Sequence, residues 1–376
     1  MTTQDFPAKN IPLDAALSSL AITNKVQECV IEPDNSAKTD APNEQSVDNQ
    51  ETRAGEDDGE DRSTTTKLGK KPRKLGVAKA KNSSKSKKEK DGPDKAMVKE
   101  KTKLLGKDPE QAILNVIRQS CAATLSDTSF PSTLQHIKSA FFERNYLSIF
   151  TNSSNLPVYT AAYIPARALC YYTLFRNEPL LLNLLSRPTR IFLPGSGSGS
   201  ELIGIAAAMM HATSSKQKVD LRMMDIGEWE GVLSGLEDVV RKRWGWGEEL
   251  ICGYEKGDVL ELGETMLEEI READLITFMF VMNELFVEKG RAMEMVKRLV
   301  EGMKKGAWLL VVDSAGSFSH LKIGGKTYMV YFLLDALKDF EKLVADDSKW
   351  YRYPEHLKYP VDIQNMRYFI RLYQKL

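Results

Sequence analysis

Cysteine is scarce and scattered: Cys29, Cys121, Cys170 and Cys252 stand singly, with no C-x-x-C pair, and His136, His211, His320 and His356 form no cluster beside them. That spacing argues against a disulfide framework and against a zinc finger or ribbon, so no metal is expected. No stretch approaches eighteen consecutive apolar residues, and the opening MTTQDFPAKNIPLDAAL lacks a charged segment followed by a long apolar run. A soluble intracellular protein without a membrane partner is therefore expected. The phosphate-cradling pattern G-x-x-x-x-G-K-[ST] is missing too, which removes the commonest nucleotide triphosphate site.

Net charge is also missing, but only in sum: the 376 residues carry 52 basic and 52 acidic side chains. Residues 31–61 hold eleven acids against two bases, and residues 62–107 hold seventeen bases against four acids. Both blocks are poor in aromatic and branched apolar residues, a composition that cannot offset chain entropy by burial. A disordered tail is thus expected over 1–107, acidic over 31–61 and basic over 62–107. Its run KLGKKPRKLGVAKAKNSSKSKKEK, from Lys67 to Lys90, reads as a nuclear import signal or a nucleic-acid contact, with a merely solvated tail as the plain alternative.

Order is expected from Asp108, where Asp108-Pro109-Glu110-Gln111 reads as an N-cap, a proline at the first helical position and a capping-box partner. Ala112, Ile113, Val116 and Ile117 continue a helical stripe, and helices are expected over 134–150 and 165–185. Residues 108–188 thus form an α-helical lead-in, rich in aromatics such as Phe141, Tyr146, Tyr163 and Tyr171. From 189 to 376 short apolar runs alternate with amphipathic ones, the pattern of βαβ units on a mostly parallel sheet. Strands are expected near 190–194, 219–224, 250–254, 274–281 and 307–312, with helices near 200–211, 229–244, 263–272 and 286–303. The alternating MRYFIRLY, Met366 to Tyr373, predicts a last strand, antiparallel at the end of the sheet.

Three strand ends carry the chemistry. After the first comes Leu193-Pro194-Gly195-Ser196-Gly197-Ser198-Gly199-Ser200-Glu201, a glycine-rich turn opening into a helix, where an open α/β sheet binds its ligand. A dinucleotide fingerprint G-x-G-x-x-G from Gly195 would need glycine at Ser200, so the pattern here is G-x-G-x-G, which resembles that of class I S-adenosylmethionine-dependent methyltransferases. The second strand ends in Asp225, able to accept from both ribose hydroxyls, with Ile226 and Trp229 placed to cover an adenine; a helix-capping Asp is the alternative. After the third come Asp258 and Val259, and there the resemblance implies an acid that accepts from the adenine amino group. A bare Gly/Ser turn carries no ligand by itself; three signals in order are far more specific.

The fourth strand runs into Met282-Asn283-Glu284-Leu285-Phe286, where the methyl acceptor should lie. Amino-group methyltransferases often carry Asn/Asp-Pro-Pro-Tyr/Phe there; Asn283 and Phe286 keep the outer members and both prolines are absent. Transfer to nitrogen needs an aimed lone pair and a base to remove any proton. Glu284 is the first candidate and Asp313, closing the fifth strand, the second, though Glu284 equally suits the start of a helix. Carbon-5 pyrimidine methylation needs a cysteine nucleophile, and none stands at the fourth-strand end.

Arg144-Asn145-Tyr146-Leu147, the run from Tyr163 to Tyr171 (YIPARALCY), the turn PGSGSGSE, Asn283 to Phe286 and the late FIRLY together resemble the fungal 25S ribosomal RNA (uridine-N3) methyltransferase family, over roughly 108–376. The resemblance implies an α/β fold of the class I methyltransferase (Rossmann-like) kind, a doubly wound sheet with an α-helical N-terminal extension and the disordered tail. It implies S-adenosyl-L-methionine as cofactor, large-subunit ribosomal RNA or a pre-ribosome as partner, and a nucleolar location within the nucleus. The acid usual two residues before the first motif glycine is Leu193 here, and Glu201 is the candidate to orient the cofactor's amino group instead. Tyr146, Tyr163, Phe286, Arg144 and Arg167 are candidates to stack on and orient a splayed base, with core packing the alternative for the aromatics. A protein or small-molecule methyltransferase, or a non-catalytic adenosyl-binding assembly factor, would share these features.

Overall fold

Alternate residues of the central strands divide between two hydrophobic cores, and this division sets out the whole architecture. In the computed structural model, residues 93–376 are described apart from 213, 215, 316–319 and 324–325. The acidic block 31–61 and the run Lys67–Lys90 lie outside the described residues. Seven strands form one sheet: β1 (Thr189–Pro194), β2 (Val219–Asp225), β3 (Leu250–Lys256), β4 (Leu275–Met279), β5 (Trp308–Ser314), β8 (Phe340–Tyr351) and β9 (Met366–Lys375); β6 (His320–Ile323) and β7 (Lys326–Met329) pair separately. The order is β3-β2-β1-β4-β5-β9-β8, with β1 to β5 parallel and β9 antiparallel to both neighbours. This is the doubly wound, mostly parallel sheet that the sequence pattern predicts.

On β1, Ile191 and Leu193 join one core and Phe192 the other; on β5, Leu310 and Val312 face the first and Leu309 and Val311 the second. The two-residue period of a strand makes this division automatic. One face is covered by α6 (Asn155–Asn177), α8 (Ser200–Met209) and α9 (Glu230–Trp244), the other by α10 (Glu264–Glu272) and α12 (Lys289–Gly302). The last strand is antiparallel as expected, but it is not the edge. β8, absent from the strand pattern read in the sequence, lies outside it.

The lead-in is α1 (Pro93–Lys103), α2 (Pro109–Ser120), α3 (Ala122–Ser126), α4 (Phe130–Phe142), α5 (Tyr146–Phe150), α6 and α7 (Pro179–Leu184). Three expectations need correction here, and a fourth at Pro165. Helical structure already covers Pro93–Lys103, inside the segment expected to be disordered, because Lys101 sits 4.2 Å over the Trp246 ring and pairs with Glu249 at 3.4 Å, while Leu105 just beyond is buried. At Asp108 only half of the capping box forms. Asp108 accepts from the Gln111 N–H at 3.1 Å, but the Gln111 side chain turns to the backbone of Lys358, donating at 3.1 Å and accepting at 2.8 Å. The single helix expected over 134–150 is broken at Arg144, whose φ of 56° closes a Schellman turn: Asn145 N donates to Ala140 O at 2.9 Å and Arg144 N to Phe141 O at 3.1 Å.

Pro165, expected to open a helix, lies in the middle of the 23-residue α6. A proline there removes the N–H that the Ala161 carbonyl would normally accept. The Tyr359 hydroxyl supplies the missing donor at 2.8 Å, so the fully buried carbonyl is satisfied and the helix continues. Replacing Tyr359 by Phe should therefore lower stability by about 1–3 kcal/mol, the usual cost of an orphaned buried acceptor. Urea unfolding would register this as a lower midpoint with an unchanged slope.

Candidate active site

The carboxyl ends of β1, β2, β3 and β4 open into one cleft, walled on the far side by α5 and α6. Its shape rests on the turn Gly195–Gly199. Gly195 and Gly199 hold φ of 73° and 86°, a backbone region open mainly to glycine. At Gly197 a side chain is excluded by contact: a Cβ would fall 2.0 Å from Cδ1 of Trp229. Ser196 turns its hydroxyl back to the Leu193 carbonyl at 2.6 Å, so Gly195 and Ser198 form the wall.

Asp225 closes β2 beside this turn. It accepts from Gly197 N at 3.0 Å, Gly227 N at 3.2 Å and Trp229 Nε1 at 2.9 Å. Burial raises its pKa, and these three donors pull the other way. Tyr254 braces the loop by donating to the Gly227 carbonyl. Two oxygens carry about four acceptor positions, so room for a ribose hydroxyl remains. Ile226, Trp229, Gly257, Asp258, Val259 and Leu260 continue the wall. Asp258 is already shared, taking the Leu260 N–H at 2.8 Å and Arg291 Nη2 at 2.8 Å.

At the end of β4, Phe280 adopts φ of 59°, a strained conformation for a bulky residue, and its N–H donates to Val312 O at 2.7 Å. This turn carries the chain into α11 (Met282–Leu285), from which Glu284 faces the cleft. Burial pushes the Glu284 carboxyl up to about 8, with Arg167 opposing and Asp225 and Asp313 reinforcing the shift. Asp313 is 1% exposed and holds Asn283, accepting from its backbone N–H at 3.3 Å and from its side-chain amide. Burial pushes Asp313 up to about 6. Among the described residues the Asn283 Oδ1 is buried without a partner. Since an ionised carboxylate only accepts, Asp313 fixes which end of the Asn283 amide is which.

The structure thus gathers Gly195, Asp225, Ile226, Asp258, Val259, Glu284, Arg144, Tyr146 and Arg167 around one cleft. Others of the sequence-derived set stand behind it. Gly197 and Gly199 shape the turn, Asn283 and Asp313 back up α11, and Glu201 is 3% exposed beneath the turn, accepting from Ser200 Oγ at 2.8 Å and pushed up to about 7 by burial. Phe286 is 7% exposed in the second core, and Phe280, Tyr159 and Phe150 reach the cleft beside Tyr146 and Trp229. A four-residue helix explains the exchange: it turns Glu284 outward and Phe286 inward. Phe280 was read as an ordinary strand residue, and no local signal marks its left-handed backbone.

Among the described residues no group of three or more His, Cys, Asp or Glu side chains is arranged to hold a metal, and no helix is long and apolar enough to cross a membrane. The profile of a family described as "Putative SAM-dependent methyltransferase" matches residues 117–374. The chain belongs to this family. Its cofactor is S-adenosylmethionine, and the cleft fits it. A carboxylate stands at the ribose position and an apolar wall follows at the adenine position, while the turn is too close to Trp229 to carry a side chain. The chain is 29% identical over 281 residues to the "25S rRNA (uridine(2843)-N(3))-methyltransferase" of Saccharomyces cerevisiae, covering 64% of this chain and 77% of that one. Among solved structures it is similar to the N-methyltransferase NodS from Bradyrhizobium japonicum WM9 in complex with S-adenosyl-L-homocysteine (TM-score 0.36, 11% identity, 59% of this chain and 97% of that one). TehB from Haemophilus influenzae gives a TM-score of 0.34 at 14% identity, over 55% of this chain and 67% of that one.

Asp225→Asn tests the hub of the methyltransferase's site. An amide nitrogen cannot accept, so one of the three N–H donors loses its partner and the ribose acceptor weakens. Calorimetric titration with S-adenosylhomocysteine should show affinity lower by about tenfold or more, the equivalent of one charge-assisted hydrogen bond.

Proposed function

We propose that this methyltransferase acts on N3 of a uridine in large-subunit ribosomal RNA. Glu284 is the observation that carries the reading: a cleft-facing carboxyl at the end of β4, pushed up to about 8. N3 of uracil bears an imide proton that must leave before or during methylation. A base serves such a weak acid best when its own pKa lies near the working pH. When bound, S-adenosylmethionine supplies the electrophilic methyl group on a cationic sulfur. Glu284 takes the N3 proton, and Tyr146 and Phe280 give faces on which a base drawn out of the RNA can stack. The name of the yeast relative supports the same substrate.

Arg144 stands exposed at the cleft rim, where a backbone phosphate would pass. The Lys67–Lys90 run would add salt-sensitive phosphate affinity and, as an import signal, would suit a nucleolar enzyme.

Nucleoside mass spectrometry of large-subunit rRNA from cells lacking the protein, complemented with wild type or Asp225→Asn, tests the reading. 3-Methyluridine should fall in the deletion and return with wild type alone; an unchanged profile would refute the substrate assignment.

The pH profile tests the base. Below about 8 the Glu284 carboxyl is mostly protonated and unable to accept, so kcat/KM should rise with pH and level off near that value. Glu284→Gln should remove the rising limb and lower kcat by about 100-fold or more, while S-adenosylhomocysteine still binds.

A further inference from the structure

We propose that Arg167 grips the α-carboxylate of the cofactor's methionyl end. The inference rests on membership of the methyltransferase family and is independent of the uridine assignment. Neither residue that the sequence offers for that end reaches the cleft: Leu193 is fully buried, and Glu201 is turned under the glycine turn toward Ser200.

Arg167 is placed where they are not. Its helix α6 is fastened on one side to the glycine turn, Thr160 Oγ1 donating to Ser198 O at 3.4 Å, and on the other to the end of β4, the Tyr171 hydroxyl donating to Met279 O at 3.4 Å. Asp225 and Asp258 assign the adenosyl half to the ends of β2 and β3. The methionyl chain therefore extends toward the space between the glycine turn and β4, which Arg167 lines.

The guanidinium is also short of partners. It lies 5.6 Å from the Tyr159 ring and 5.7 Å from the Phe280 ring, and its one hydrogen bond among the described residues runs from Nη1 to the Tyr159 hydroxyl at 2.5 Å. Among the described residues no carboxylate lies within ion-pair distance of it. Glu284 and Glu201 act on it from further away, and burial keeps much of their own charge suppressed near neutral pH. A half-buried cation with most of its five donors unpaired is costly unless a ligand brings the anion. A free carboxylate matches the guanidinium fork with two parallel hydrogen bonds, which a lysine cannot reproduce.

The test is calorimetric titration of the full chain with S-adenosylhomocysteine, its decarboxylated analogue and 5′-methylthioadenosine, which lacks the amino-acid part. Wild type should bind the decarboxylated analogue about 10- to 100-fold more weakly than S-adenosylhomocysteine, as expected for one bidentate ion pair. Arg167→Met should lose a similar factor for S-adenosylhomocysteine and almost none for 5′-methylthioadenosine, with Arg167→Lys between. Equal binding of the two forms by wild type would overturn the proposal without any variant. So would an Arg167→Met that binds S-adenosylhomocysteine normally, which would return Arg167 to the acceptor base, or one that loses all three ligands alike, which would make its role structural. None of these outcomes depends on which acceptor is methylated.

Discussion

One buried carboxylate holds the site in shape. By collecting N–H groups from the glycine turn, from its own loop and from the Trp229 ring, Asp225 ties the ends of β1 and β2 to the start of α9. Trp229 can reach Asp225 only because Gly197 has no side chain. The cofactor wall is therefore a consequence of one hydrogen-bonding centre, and the ribose position is preset by the same atoms that brace the turn. Such prior ordering lowers what binding must spend on organising the loop.

The electrostatics of the cleft follow from burial more than from pairing. Asp225, Glu284, Asp313 and Glu201 are all raised by desolvation, and Arg167 is the cation that acts on Glu284, Asp313 and Glu201. Asp313 and the hydrogen-bonded Asp225 keep negative charge beside that guanidinium, while burial brings Glu201 and Glu284 up to about 7 and 8, so the acids around the cleft can hold more negative charge when a cation enters. A sulfonium cofactor has that sign. The same arrangement leaves Glu284 close to the pH at which a proton can be taken up or released with little driving force.

What the sequence made legible is what neighbouring residues decide. The five parallel strands, the order of the glycine turn, Asp225 and Asp258 along three strand ends, and the helix start at Asp108 depend on short-range pattern and were readable. Pro165 reads as a helix start because the donor that lets the helix continue is on Tyr359, 198 residues from the Ala161 carbonyl it serves. The Asn-x-x-Phe spacing points to Phe286, yet the left-handed turn at Phe280 and the short α11 decide which aromatic faces the cleft. Arg371 shows the same limit on β9. Within the alternating run that predicts the last strand, it is 3% exposed, stacked 3.9 Å from the Tyr331 ring and paired at 3.3 Å with Asp335 of the short helix α13 (Tyr331–Asp335), neither of which is near it in sequence.

The position of β9 bears on how the chain is built. β5 and β8 are both synthesised before it, yet each pairs with β9 and not with the other. Until β9 arrives, β5 presents an unpaired edge of β-branched and leucine residues, and β8 has no sheet to join. Folding from the N-terminus can complete the cofactor half early, but the nascent domain carries an adhesive flank throughout the making of the intervening segment. Chaperone protection would matter most in that interval.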